Sequence, residues 1–121
     1  MRAGEVLLLM NMDKKPADTV HMTITEEQTY DPRSLLSKVA ILGLSRLRDR
    51  GMGTPGSYLP NLFPTPQEEQ AAHDRWKGEL TTAIDALTAY VDDENFMDEA
   101  VEQAAQEAFL WIAVNLDSLW D

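Results

Sequence analysis

Residues 65–91 read TPQEEQAAHDRWKGELTTAIDALTAYV, and this stretch decides the fold. Thr65 to Glu68 fits a capping box. The Thr65 hydroxyl can accept from the Glu68 amide, the Glu68 carboxylate can reach back to the Thr65 amide, and Pro66 at the first helical position has no donor to leave unpaired. Beyond it Trp76, Leu80, Ala83, Ile84, Leu87, Tyr90 and Val91 recur every three or four residues, the period of one apolar helical stripe. The pattern predicts a continuous amphipathic helix over 66–91. Such a helix must be covered, so the rest of the chain is read for what packs on it.

Cover lies directly downstream. The acidic run Asp92 to Asn95 breaks the stripe, and Phe96, Val101, Ala105, Ala108, Phe109, Ile112, Leu116 and Leu119 renew it, which predicts a third helix over 96–120. Ala100 and Ala104 beside that face are small enough for close contact. The short connection makes the two helices a long antiparallel pair. Residues 108–116, AFLWIAVNL, are apolar almost all round, so this helix is either enclosed or turns one side to a partner, a second copy in a homodimer included.

Upstream, residues 51–66 hold four prolines and three glycines, yet also Met52, Tyr58, Leu59, Leu62 and Phe63, which suits an anchored and functional loop better than a linker. Asp31 and Pro32 open a helix over 31–50 that Gly51 closes. Within it Leu35, Leu36, Val39, Ala40, Leu42, Leu44 and Leu47 cover about half the circumference, with Ile41 near the polar edge, a breadth that predicts a central helix. Arg33, Lys38, Arg46, Arg48 and Arg50 leave it basic. Nearer the start, Glu5–Met10 and the alternating Thr19–Thr25 read as strands, and the turn composition of Asn11–Asp18 joins them into a β-hairpin over 5–25. Two strands alone are marginal in water. The expected fold is therefore α+β and predominantly helical, one domain over 1–121 in which the N-terminal β-hairpin packs on three helices.

Composition excludes several classes of function. With 44% hydrophobic and 26% charged residues the chain is suited to fold, and without cysteine it has no thiolate nucleophile, thiolate metal site or disulfide. The opening MRAGEVLLLM has too short an apolar run for a secretory leader, and no stretch approaches the roughly 20 apolar residues of a membrane span. A cytoplasmic protein without membrane contact is expected. The net charge of −11 is segregated. Residues 1–77 contain ten Lys and Arg and ten acids, whereas residues 78–121 contain eleven acids and no base. Such a field repels nucleic acid and draws basic protein surfaces.

Catalytic machinery is sparse. No phosphate-cradling glycine loop, nucleophile elbow or zinc spacing is present, and His21 and His73 alone could titrate near neutrality. Glu69 and His73, at i and i+4, could share a divalent ion, but an exposed helical pair is the commoner meaning of that spacing. Asp92, Asp93, Asn95, Asp98 and Glu99 lack the spacing and turn glycine of a calcium loop. No enzyme, cofactor or metal is expected. The acidic run can serve as caps and solvated charge at a helix start. Its other meaning is recognition, because solubility alone would leave both signs interspersed. The residues expected to meet a partner are Asp92, Asp93, Glu94, Asp98, Glu99 and Glu102, with Tyr58, Phe63, Trp111 and Trp120 as apolar anchors. The expected function is masking or inhibition of a basic surface of a host or partner protein, one that itself holds nucleic acid. Small phage-type inhibitors share this size and charge, an analogy and not a motif match. An assembly chaperone or adaptor working through the apolar helix and loop is the alternative.

Overall fold

The computed structural model describes residues 3–9 and 19–120 of the chain. It is predominantly helical and divides into two compact units, Met1–Leu35 and Leu36–Asp121, with the boundary inside the first helix. In the first unit β1 (Ala3–Leu9) and β2 (Thr19–Thr25) pair antiparallel, with Ala3 opposite Thr25, Val6 opposite Met22 and Leu9 opposite Thr19. Ile24 is half-buried between exposed Thr23 and Thr25, as an alternating strand requires. A 3-10 turn over Glu27–Tyr30 follows. The strand reading of Met10 and the turn reading of Asn11–Asp18 lie outside the described residues.

Three helices build the second unit's core: α1 (Pro32–Arg50), α2 (Pro66–Tyr90) and α3 (Glu99–Val114). Asp31 caps α1, its carboxylate accepting from the Ser34 amide. The capping box of α2 is formed on both sides, the Glu68 amide donating to Thr65 Oγ1 at 3.2 Å and the Thr65 amide to Glu68 Oε1 at 2.9 Å. From there Ala72, Trp76, Leu80, Ala83, Ile84 and Leu87 are buried, and Leu80 and Leu87 are wholly so. They form one cluster with Leu44 of α1 and Ala105 and Ala108 of α3. Truncating Leu80 or Leu87 to Ala at such sites costs about 2–5 kcal/mol. Trp111 near the end of α3 lies against Trp76 in the first half of α2, and Asn95 before α3 donates to Ala89 near the end of α2, so α2 and α3 run antiparallel.

Two predicted elements are redrawn. The face of α1 that meets the core is Ala40, Ile41, Leu44 and Leu47, so Ile41 packs on the core while Leu36 is exposed, contrary to the broader stripe read from the sequence. Ser37, fully buried, continues that line one turn earlier. The third helix begins at Glu99 rather than Phe96. A 3-10 turn over Asp93–Asn95 and a left-handed Met97 (φ 64°) precede it, and the Asp98 carboxylate then accepts from the Ala100 and Val101 amides. It also ends early. Asn115 caps it, donating through its side chain to the Trp111 carbonyl, and Leu116–Ser118 form a separate 3-10 turn.

Candidate functional site

Seven of the eleven acids after residue 77 stand in two settings, six at the corner between α2 and α3 and Glu79 midway along α2. Asp92, Asp93, Glu94, Asp98, Glu99 and Glu102 crowd the corner where α2 gives way to α3, and all six are exposed. Two of them hold the corner together. Asp92 accepts from the Glu94 amide at 3.0 Å, and Asp98 caps α3. The carboxylates of Asp93, Glu94, Glu99 and Glu102 have no hydrogen-bond or ion-pair partner among the described residues. Phe96 and Met97 stand in the middle of this run and are 78% and 80% exposed. The corner thus presents an apolar tip flanked by solvated negative charge.

Among the described residues no Lys or Arg forms an ion pair with these six acids. Arg33 pairs with Asp31, and Arg48 pairs with Asp49 while also reaching Thr81 on α2. That Asp49 hydrogen bond is the main reason the Arg48 pKa is raised, with the Asp85 charge adding less. From Glu79 to Asp117, Glu79 alone has a Lys or Arg within ion-pair distance among the described residues.

Glu79 sits far from the corner. Twelve residues of α2 separate it from Val91, about 18 Å along the axis. Its Oε1 accepts from Tyr58 Oη at 2.8 Å and Trp111 Nε1 at 2.9 Å, and its Oε2 from Arg75 Nε at 3.1 Å. The Trp76 ring lies between the two aromatic donors, edge-on to Tyr58 at 5.2 Å and tilted against Trp111 at 5.4 Å. Arg75 also stands over the Tyr58 ring at 4.8 Å. Burial works to raise the Glu79 pKa, but the hydrogen bonds from Trp111 and Tyr58 and the Arg75 charge together outweigh it and hold the carboxyl below its usual range. Tyr58 is pushed up, first by desolvation and then by the hydrogen bond to the Glu79 carboxylate.

The residues expected to meet a partner therefore separate. Tyr58 and Trp111 have their polar atoms tied to Glu79 and their rings packed on the core, so they lock the Pro/Gly loop and the end of α3 to α2. A second tie, Thr54 Oγ1 to His73 Nδ1 at 2.8 Å, fixes the same loop. Phe63 and Trp120 are exposed, as are Leu62 beside Phe63 and Leu110 and Val114 on α3. The sequence marks Glu79 only as one of the eleven acids after residue 77. Its spacing of three residues from Trp76 and four from Ala83, both on the apolar stripe, was the available signal. Among the described residues no group of three or more His, Asp or Glu could hold a metal ion, and no helix is long and apolar enough to cross a membrane. Comparison with protein-family models, with curated proteins and with solved structures finds no match.

Proposed function

We propose that the chain is a non-enzymatic binding protein that sets the α2–α3 corner on a basic surface of a partner protein and masks it. One observation carries the reading: Asp93, Glu94, Glu99 and Glu102 are exposed, and unpaired among the described residues, beside the exposed Phe96 and Met97. A charged rim around an apolar centre is the anatomy of a protein interface, in which the rim steers encounter and the centre supplies affinity. Unopposed carboxylates also suit a partner surface that otherwise holds the phosphates of nucleic acid.

The test uses Asp93→Asn, Glu94→Gln, Glu99→Gln and Glu102→Gln together, a change that spares the two capping aspartates. Binding to the partner recovered from source cells should weaken by at least tenfold, about 1.4 kcal/mol, and lose most of its salt dependence. Binding that ignores both salt and these changes would sink the proposal. The exposure of Phe63 and Trp120 favours a second reading, an adaptor or assembly chaperone working through apolar surface. In that case the same assay would respond to Phe63→Ala or Trp120→Ala and not to salt.

A further inference from the structure

The exposed face of α3 changes character along its length. Glu99, Glu102 and Glu107 occupy its first part and Leu110 and Val114 its last, and all five are exposed. At 100° per residue they fall within an arc of about 140°. The opposite arc carries Ala105 and Ala108, buried against α2, so the exposed face is not used by the core. Leu110 and Val114 are 64% and 75% exposed one turn apart, an apolar pair that solvent covers poorly. Glu99 and Glu102 lie about 12–22 Å from them along the axis, more than the Debye length of about 8 Å at physiological salt, and Glu107 stands between, about 4–11 Å away. Charge and apolar surface thus grade from an acidic to an apolar end along one straight rail.

Complementarity selects the occupant. A second copy of this chain fits badly: parallel pairing of two α3 faces sets acid against acid, and antiparallel pairing buries Glu99 and Glu102 against Leu110 and Val114. The net charge of −11 on each copy adds to the repulsion. An anionic lipid surface is repelled by the same carboxylates. A rail of helical spacing, about 22 Å from Glu99 to Val114, matches another helix laid along it. We infer that the exposed face of α3 docks a helical segment of a partner protein, with apolar residues at one end seated on Leu110 and Val114 and Lys or Arg at the other facing Glu99, Glu102 and Glu107. This rests on the reading that the partner is basic, and names the part of it that is recognised.

The probe is an alanine-based helical peptide of about 18 residues, long enough for the rail, with leucines on one face of one half and lysines on the same face of the other. Calorimetry on the full chain should show binding that weakens about tenfold with Leu110→Ser plus Val114→Ser, and about tenfold with Glu102→Gln plus Glu107→Gln. The salt dependence should fall most in the second variant, which leaves only Glu99 of the rail's three acids, and Asp93→Asn plus Glu94→Gln should change little. All these side chains are exposed, and circular dichroism checks that each variant keeps its helices. A leucine-free lysine peptide binding equally well, or binding indifferent to Leu110 and Val114, overturns the helix rail while leaving the acidic corner its proposed role. So does self-association in sedimentation that Leu110→Ser abolishes, because the occupant is then a second copy. Loss of natural-partner binding with Asp93→Asn plus Glu94→Gln, and none with either rail variant, has the same meaning. Natural-partner binding that ignores salt and every acidic change defeats the wider reading instead.

Discussion

Glu79 holds three donors from three places in the chain, and its side chain is still 33% exposed. Removing an acceptor strands the Tyr58 hydroxyl and the Trp111 indole N–H, and each stranded donor costs about 1–3 kcal/mol when buried, less where water can reach it. Glu79→Ala should therefore lower stability to urea by about 2–3 kcal/mol. Glu79→Gln keeps an acceptor and should cost about half as much. The pH dependence has a definite sign. The folded-state pKa of Glu79 lies below its unfolded value, so its contribution is present above the unfolded carboxylate range of about 4.3 and is lost as pH falls through the folded value. The stability gap between wild type and Glu79→Gln should accordingly shrink below about pH 4. Urea midpoints at neutral and acid pH measure this, and a gap that widens in acid contradicts the assignment. Sequence alone could not show the knot, because Tyr58 and Trp111 stand 21 and 32 residues from Glu79. Local periodicity reports neighbours on one helix and is blind to partners that only packing brings together.

At the scale of elements, legibility follows the strength of local signals. The start of α2 was plain because Thr65, Pro66 and Glu68 satisfy its first amides without help from the rest of the chain. The start of α3 lies three residues beyond the one the apolar period predicts, because Phe96 fits that period and nothing local marks the left-handed turn at Met97, which has a side chain where glycine is usual. Its end is set by Asn115, whose side chain donates to the Trp111 carbonyl, while the apolar period runs on through Leu116 and Leu119. The cap provides the check. Asp98→Ala should cost about 1 kcal/mol by freeing the Ala100 and Val101 amides. Asp98→Asn should fall between the two, keeping the cap while giving up the favourable charge at the helix's positive end. Thermal melts rank the three variants. If alanine matched wild type, the helix would have to begin upstream, and Phe96 and Met97 would not form an exposed tip.

For the whole molecule the governing quantity is unbalanced charge, because among the described residues no Lys or Arg forms an ion pair with the acids of the corner. Like charges held close in the folded state repel, and unfolding lets them spread. Mobile ions screen that repulsion, shortening the Debye length from about 30 Å at 0.01 M salt to about 3 Å at 1 M. The chain should consequently grow more stable as sodium chloride is added, the reverse of a protein held by surface ion pairs. The corner variant lacking the Asp93, Glu94, Glu99 and Glu102 charges should melt higher than wild type in low salt and respond less to added salt. A gain of about 0.5–1 kcal/mol, the scale of weak surface charge interactions, corresponds to a few degrees in a domain of this size. Scanning calorimetry across a salt series reads both effects. The same repulsion is what a basic partner would relieve, so the stabilisation by salt and the weakening of binding by salt share one origin. If the corner variant abolished one and left the other intact, the carboxylates that strain the fold and those that meet the partner would have to be different residues.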